Sequence, residues 1–221
     1  MFTGIIQAVG EIAVLEPQGG DLRLRVRTGK LDLGDVQLGD SIAVSGVCLT
    51  AVALPGDGFW ADVSGETLAH TIIGDCKSGE RVNQEKALTP TTRLGGHLVS
   101  GHVDGVGEVI ERTRDARSER FRIRAPQELA RYIAQKGSIC VDGVSLTVNA
   151  VEGSVFELNI VPHTLAETTL DAYRPGRRVN LEVDLIARYL ERLLLGDAQA
   201  AGASGQGISL DFLRAHGFAR D

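Results

Sequence analysis

The chain has 221 residues, a formal net charge of −6 at neutral pH, and 43% hydrophobic and 24% charged residues. This composition is ordinary for a soluble globular protein, and the acidic balance argues against nucleic-acid binding, which needs clustered Lys and Arg. No apolar run approaches the ~20 residues that a membrane-spanning helix requires, and the first residues lack the basic and apolar segments of a signal peptide.

The chain contains an internal repeat with a shift of 97 residues. Its clearest element is the motif Gly46-Val47-Cys48-Leu49-Thr50, which returns as Gly143-Val144-Ser145-Leu146-Thr147. The same shift, without a gap, carries residues 9–11 onto 106–108 and residues 81–83 onto 178–180. A register of this length predicts two copies of one folding unit. Copies this small gain stability by packing against each other or against another chain.

Each copy reads mainly as β-strand. Residues 22–27 alternate apolar and basic side chains, and residues 120–124 repeat the alternation in the second copy. Such alternation is typical of a strand with one buried face. Residues 59–63 and 155–160 are a second equivalent pair, and turn signals rich in Gly and Pro separate the strands. Short strands with glycine at many corners predict a small closed barrel in each copy.

We place the first barrel at residues 1–96 and the second at residues 97–183, with a linker-like stretch around residues 86–96. One short helix is expected in each copy. Its clearest candidate is Pro126–Gln135, because proline is favoured in the first turn of a helix.

The pattern changes after the second barrel. Apolar residues recur at helical spacing, which predicts a helix over residues 184–195 with Asp184 as N-cap and Gly196 as its end. The apolar positions are Leu185, Ile186, Tyr189, Leu190, Leu193 and Leu194. An exposed stripe of this kind favours self-association, and packing on its own barrel is the alternative. Residues 196–221 read as a flexible tail, in which residues 208–218 could form one more short helix.

The three cysteines, Cys48, Cys76 and Cys140, form no C-x-x-C motif, and their odd number indicates reduced thiols and a cytoplasmic protein. Cys140 lies in an apolar strand and is expected in the core, whereas Cys48 is open to either a core or a functional role. His97 and His102 are five residues apart without a carboxylate or cysteine at metal-ligand spacing, so no metal site is expected. The Gly-Gly-His sequence at residues 95–97 is interpreted as a turn.

Several positions differ between the copies. Cys48 becomes Ser145, Ile5 becomes His102, and Gly39 becomes Lys136. The stretch Ser64-Gly65-Glu66 becomes Val161-Pro162-His163, which argues against a carboxylate pair of Asp62 and Glu66 as the basis of a mechanism. Ser41 and Thr50 keep their identity in the second copy. Two equivalent pockets with different polar groups would suit a reaction between two copies of one ligand, although drift after duplication would give the same pattern.

Four segments resemble the riboflavin synthase alpha-chain family, and the resemblance extends over about residues 1–195. They are Met1-Phe2-Thr3-Gly4-Ile5-Ile6, the block from Gly95 to Gly105 that contains Gly-His-Val-Asp-Gly, and the two copies of the GVxLT motif. The resemblance implies two similar six-stranded antiparallel, Greek-key-like β-barrels that bind lumazine, and a homotrimer held by the C-terminal helix. Gln84 and Gly65 depart from the family pattern, which usually has an apolar residue and a Pro there.

The resemblance also implies a reaction. Two molecules of 6,7-dimethyl-8-ribityllumazine exchange a four-carbon unit and give riboflavin and a ribitylamino-pyrimidinedione. Because this is a dismutation, no cofactor is implied. A non-catalytic lumazine- or flavin-binding optical protein of the same fold is the alternative.

The site residues are carried over by the same resemblance. His102 is the candidate for proton transfer and lines the second-copy pocket with Ser145 and Thr147. Cys48 and Thr50 line the first-copy pocket with Ser41 and Thr3 nearby, and Cys48 or Ser145 places the water that adds at C7. The expected substrate-binding residues are Thr3, Gly4, Ile5, Ile6, Cys48, Leu49, Thr50, Asp62, Val63, Ser64, Gly65, Glu66, Thr67, Gly101, His102, Val103, Lys136, Ser145, Leu146, Thr147, Asn159, Ile160, Val161, Pro162, His163 and Thr164. Lys136 is expected to reach a ligand in a neighbouring subunit, and Phe2 to cover the reacting faces.

Overall fold

The computed structural model describes the backbone of residues 1–203 and the side chains of residues 1–195. The first copy contains β1 (Ala8–Gln18), β2 (Asp21–Arg27), β3 (Ser41–Val44), β4 (Val47–Thr50), β5 (Gly58–Val63), α1 (Gly65–His70), a 3₁₀ helix (Ile72–Asp75) and β6 (Arg81–Lys86). The second contains β7 (Gly105–Asp115), β8 (Ser118–Arg124), a 3₁₀ helix (Gln127–Tyr132), β9 (Ser138–Val141), β10 (Val144–Glu152), β11 (Val155–Ile160), α2 (Pro162–Glu167), a 3₁₀ helix (Thr169–Ala172) and β12 (Arg178–Val183). The helix α3 (Leu185–Ala203) follows.

Each copy folds into a six-stranded antiparallel barrel, which confirms the predicted fold class. The second copy is a closed barrel in the order β10-β11-β8-β7-β12-β9. The first has the same order of neighbours, β4-β3-β6-β1-β2-β5. The strands β4 and β5 lie at the two edges of this sheet and form no ladder with each other. An isolated bridge between Ala53, which follows β4, and Trp60 of β5 joins these edges. The peptide N–H of Trp60 donates to the Ala53 carbonyl over 2.9 Å, and that of Val52 to the Trp60 carbonyl over 2.8 Å.

The alternating strands bury one face as the sequence predicts. In β2, Leu24 and Val26 are fully buried, while Arg25 and Arg27 point outward and pair with Asp57 and Glu11. Two separate apolar cores result, one inside each barrel, and large aromatic residues such as Phe59 and Phe156 fill them. Each such side chain contributes about 1.5–3 kcal/mol when buried. Exposed ion pairs on the outer face contribute less, typically under about 1 kcal/mol each.

The short helices do not lie where the sequence pattern placed them. Pro126–Gln135 holds only a 3₁₀ helix, Gln127–Tyr132, and the α-helices α1 and α2 follow the fifth strand of each copy instead. A helix of six residues is too short for apolar periodicity to reveal it. Its start depends on local signals, which here are Ser64, whose hydroxyl accepts from the Thr67 N–H, and Pro162 in the first turn of α2.

The C-terminal helix is longer than predicted. It runs from Leu185 to Ala203, so the expected end at Gly196 and the flexible stretch directly after it are wrong. A single Gly costs only about 1 kcal/mol relative to Ala in a helix, and good helix formers follow at residues 198–201. The rest of the predicted tail, including residues 208–218, lies outside the described residues. No helix within residues 1–203 is both long and apolar enough to cross a membrane.

The two barrels form one compact unit that ends at Leu185. Their contacts are reciprocal under the shift of the repeat, as expected for an approximate twofold axis between them. The buried amide of Asn83 donates to the Asp142 carbonyl over 2.9 Å, and that of Asn180 donates to the Ser45 carbonyl over 2.8 Å. Gly46 and Gly143, both at positive φ, approach so closely that a Cβ on Gly46 would lie 2.7 Å from the Gly143 nitrogen.

One difference between the copies is buried beside this axis. Ser45 of the first copy corresponds to Asp142 in the second, and both have positive φ. The Asp142 carboxylate accepts from the Asn180 N–H over 2.6 Å and from the Tyr173 hydroxyl. Burial outweighs these bonds and raises the pKa of Asp142 to about 6 from its ordinary 3.8. The same surroundings hold the pKa of Tyr173 well above its usual range, so its hydroxyl stays a donor.

Asp142→Asn therefore changes how stability depends on pH. Because the folded-state pKa of Asp142 is raised to about 6, its stabilising contribution is full below about pH 4 and is lost as the pH rises through 6. The free energy of unfolding of the unaltered protein, relative to Asp142→Asn, should fall by roughly 1–3 kcal/mol between pH 4 and pH 7.

Denaturant unfolding of both proteins at these two pH values measures the effect. Glu16→Gln, at an exposed strand position, is the control for removal of a surface carboxylate. A difference between the protein and Asp142→Asn that does not vary with pH would contradict the prediction.

Candidate functional site

The segments that precede the two barrels meet on the pseudo-twofold axis. The Phe2 N–H donates to the Val99 carbonyl over 2.7 Å, and the Val99 N–H donates back to the Phe2 carbonyl over 3.1 Å. These two residues are equivalent in the repeat and form an antiparallel bridge. Both are buried, in a small cluster with Ala43 and Cys140 of the two barrels. Phe2 therefore has its place between the barrels, and Cys140 is in the core as expected.

Beyond this bridge each segment crosses to the other barrel. The Ser145 N–H of β10 donates to the Gly4 carbonyl over 2.7 Å, and the Cys48 N–H of β4 donates to the Gly101 carbonyl over 2.8 Å. The residues that follow each glycine also contact the opposite barrel. Ile6 packs against the core of the second barrel, and Val103 packs against the core of the first.

Two composite sites result, and we name each after its central residue. The Ser145 site combines residues 3–6 of the first copy with 145–147 and 159–164 of the second, because β10 and β11 are neighbours. The Cys48 site combines residues 101–103 of the second copy with 48–50 and 62–67 of the first. Ser41 lies opposite Thr50 in the β3–β4 pair and so belongs to the Cys48 side.

This exchange corrects the grouping drawn from the sequence. His102 was grouped with Ser145 and Thr147, but its neighbour Gly101 contacts Cys48. Thr3 was grouped with Cys48 and Thr50, but its neighbour Gly4 contacts Ser145. The physical reason is that each segment pairs with the other barrel's strand, not its own. A repeat with two equivalent partners fits either pairing equally well.

The Ser145 site contains a histidine that the sequence interpretation missed. His97 Nδ1 lies 2.7 Å from Ser145 Oγ, and the His97 N–H donates to the Thr3 carbonyl over 3.1 Å. Burial lowers the pKa of His97, which favours the neutral imidazole. Its Nε2 is buried and has no hydrogen-bond partner among the described residues.

The sequence interpretation considered His97 only as part of a Gly-Gly-His turn and as a candidate metal ligand. The interpretation of residues 95–97 as a simple turn was therefore incomplete. The Cys48 site has His102 as its histidine, with the His102 N–H on Ser100 Oγ at 3.2 Å and the side chain exposed.

The two carboxylates considered in the sequence are engaged separately. Asp62 lies 3.8 Å from Arg23, and Glu66 lies 3.2 Å from His70 Nε2 one turn along α1. Within the side chains described, no three His, Cys, Asp or Glu come close enough together to hold a metal ion. The polar groups of the two sites are hydroxyls, imidazoles, one thiol, the Asn159 side-chain amide, the separate carboxylates of Asp62 and Glu66, and backbone amides.

Lys136 is exposed and has φ of 66°. Its counterpart Gly39 has φ of 94° and makes the same type of backbone bond. The Lys136 N–H donates to Val148 over 2.7 Å, and the Gly39 N–H to Ala51 over 2.9 Å. A left-handed conformation costs a residue with a Cβ roughly 1–2 kcal/mol. The second copy thus keeps a lysine at a position where glycine would be more stable.

Each barrel thus completes a polar cluster of the other, and such a duplicated arrangement is typical of proteins that bind small molecules. Comparisons with known proteins show the family to which the chain belongs. The model of the lumazine binding domain matches residues 3–87 and again residues 100–184. Riboflavin synthase from Photobacterium phosphoreum is 52% identical over 218 residues, which are 99% of each chain. Its counterpart from Photobacterium leiognathi is 49% identical over the same length, again 99% of each chain.

The fold comparison agrees. A crystal structure of LumP complexed with riboflavin has a TM-score of 0.77 and 26% identity, and the match covers 83% of this chain and 99% of that one. The chain belongs to the riboflavin synthase family, a family of transferase-type enzymes that carry two lumazine-binding domains.

The crossing predicts a difference between two glycine substitutions. Gly101 and Gly79 have nearly equal positive φ, 81° and 84°. A Cβ on Gly101 would lie 2.7 Å from the Cys48 Cβ, whereas a Cβ on Gly79 would meet nothing within 4 Å. Gly101→Ala should therefore lower the free energy of unfolding by about 1–3 kcal/mol more than Gly79→Ala.

Denaturant unfolding of the two variants measures this difference. Gly79→Ala is the matched control because it carries the same cost of positive φ without the contact. Equal losses in both variants would show that the close approach of Gly101 to Cys48 is not a constraint.

Proposed function

We propose that the protein converts two molecules of 6,7-dimethyl-8-ribityllumazine into riboflavin and 5-amino-6-(D-ribitylamino)uracil, as the last step of riboflavin biosynthesis. The observation that carries this proposal is the pair of equivalent sites with different chemistry. Ser145 and His97 are in contact at one site, and Cys48 and His102 belong to the other. The names of the two Photobacterium relatives support the same reaction.

The chemistry needs two unlike sites for two identical substrates. One lumazine loses a proton from its acidic C7 methyl group, and the other accepts a nucleophile at C7. The four-carbon unit that leaves one ring completes the other, so oxidation and reduction balance between the two molecules. Holding the two rings together converts an encounter of two bodies into an intramolecular step, which can supply ~7–11 kcal/mol.

We assign the proton transfer to the Ser145 site. A neutral imidazole can take a proton, and the lowered pKa of His97 keeps it neutral. The Ser145 hydroxyl, 2.7 Å from His97 Nδ1, can relay that proton from a methyl group at the site. Cys48 and His102 would then place the nucleophile at C7 of the second lumazine. Backbone amides of residues 62–67 and 159–164 would hold the ring and the ribityl chain.

A complete active centre requires both kinds of site, and we propose that they come from different subunits of a homotrimer. The exposed apolar stripe of α3 supports this assembly. Tyr189, Leu190, Leu193 and Leu194 follow helical spacing, and the last two are 73% and 75% exposed. The strained, exposed Lys136 is suited to reach a ligand held by the neighbouring subunit. Because its three cysteines are free thiols, we place the protein in the cytoplasm.

The likeness to LumP favours a second candidate, a protein that binds lumazine or flavin without turnover. The two candidates differ in one assay. Incubation of the purified protein with the lumazine alone should give riboflavin and the pyrimidinedione in equal amounts. Tight binding of the lumazine without product would favour the second candidate.

His97→Gln tests the assigned proton transfer. It should lower kcat by about 10²–10³-fold, because general acid–base groups contribute on this scale. The dissociation constant for the lumazine should change by less than threefold in the same variant. His70→Gln, at an exposed histidine of α1, is the matched control and should retain full turnover. An unchanged kcat in His97→Gln would remove His97 from the mechanism.

Leu193→Glu tests the role of α3 in assembly. A carboxylate in a buried apolar interface is costly, so sedimentation should show smaller species that bind the lumazine but turn it over slowly. Arg192→Glu, at the adjacent exposed position, controls for the added charge. A trimer mass that persists in Leu193→Glu would contradict an interface formed by this stripe.

A further inference from the structure

Each barrel buries one glutamate in its last strand. Glu85 in β6 is 3% exposed and Glu182 in β12 is 4% exposed. These residues are equivalent in the repeat, and within the described side chains neither takes part in an ion pair. A buried carboxylate without a cation must be stabilised by hydrogen-bond donors. The residues that donate these hydrogen bonds therefore show which segment each glutamate fixes in place.

Among the described residues, all donors to each glutamate come from one short segment of its own copy. Glu85 accepts from the Thr3 N–H at 2.7 Å, the Thr3 hydroxyl at 2.6 Å and the Gly4 N–H at 2.9 Å. Glu182 accepts from the Ser100 N–H at 2.6 Å, the Ser100 hydroxyl at 2.7 Å and the Gly101 N–H at 2.9 Å. The two sets agree within 0.1 Å, although the two barrels differ in much of their sequence.

The held segments are the ones that cross between the barrels. Gly4 accepts from the N–H of Ser145, and Gly101 accepts from the N–H of Cys48. Each glycine thus donates its N–H to a glutamate of its own barrel. Its carbonyl accepts from a strand of the other barrel, which is β10 for Gly4 and β4 for Gly101. A displacement of Gly4 would move one side of the Ser145 site, and a displacement of Gly101 would move one side of the Cys48 site.

We propose that Glu85 and Glu182 are positioning residues with a crossed assignment. Glu85, in the first barrel, positions the Ser145 site on the second barrel, and Glu182 positions the Cys48 site on the first. This inference rests on the proposed function for its kinetic readout. The residues do not touch the reacting atoms and act through Thr3 and Gly4 or through Ser100 and Gly101.

The chemistry of the contact requires a carboxylate. Both oxygens of each glutamate face N–H or O–H donors, and an ionised carboxylate offers acceptors on both. A glutamine of the same size would turn its NH₂ group toward one set of donors. An aspartate would be one methylene too short to reach them. Glu85→Gln and Glu182→Gln should therefore release the segments with little change in volume.

A double-mutant cycle distinguishes a crossed assignment from a general loss of stability. Glu85→Gln and Glu182→Gln are each combined with Ser145→Ala and with Cys48→Ala. In kcat/KM and in lumazine affinity, Glu85→Gln should be non-additive with Ser145→Ala by at least fivefold and additive with Cys48→Ala within twofold. Glu182→Gln should show the reverse. General destabilisation would couple each glutamate to both sites or to neither.

Thr3→Val and Ser100→Ala provide the milder variants for the case that a glutamine variant fails to fold. Each removes one of the three donors, and each should show the same crossed pattern with a smaller effect. Coupling of Glu85 to Cys48, equal coupling to both sites, or additivity throughout would overturn the proposal.

Equilibrium dialysis with the lumazine keeps the two proposals separate. Absence of turnover in the unaltered protein would count against the proposed function alone, since the affinity cycle still tests the assignment. Normal turnover with an uncrossed cycle would count against the assignment alone.

Discussion

The exchange of two short segments across the pseudo-twofold axis is the interaction on which the rest of this structure depends. Phe2 and Val99 bridge on the axis, and the glycines that follow bond to the site strand of the opposite barrel. Each barrel has its own apolar core and satisfies the strand rules separately. The two composite sites cannot form within one barrel, because each needs backbone from both copies. The proposed function therefore requires the duplication.

The buried polar groups at the axis are almost fully paired, and this explains how a polar interface holds two small barrels together. Asn83 and Asn180 each use both the donor and the acceptor of their amides across the interface. At the edge of this network the half-buried side chains of Glu80 and Arg177, equivalent in the repeat, bond to each other over 2.8 Å. Buried polar groups stabilise an interface only when all partners are in place. Such a network specifies one arrangement of the barrels. This arrangement also fixes the positions of the segments that cross between them.

On this nearly symmetric frame the chemistry is asymmetric. The backbone bonds of Ser145 and Cys48 match within 0.1 Å. Ser145, however, carries a hydroxyl in contact with the half-buried His97, and Cys48 carries a thiol. The contact of His97 Nδ1 with Ser145 Oγ over 2.7 Å supplies the sharpest difference. In the proposed function, this difference in side chains on equivalent scaffolds gives two identical substrates different roles.

The sequence by itself determined the duplication, the strands and the family. A shift of 97 residues is visible in the letters, and alternation of period two reports a half-buried strand because both are local properties. The tertiary structure alone decided which segment completes which site. Gly4 and Gly101 could each pair with either of two equivalent strands, β4 or β10, and the repeat in the sequence does not distinguish the two pairings. The contact of His97 with Ser145 and the six-residue helices α1 and α2 were likewise beyond the pattern. They arise from pairings between distant residues or from capping groups, which leave no period in the chain.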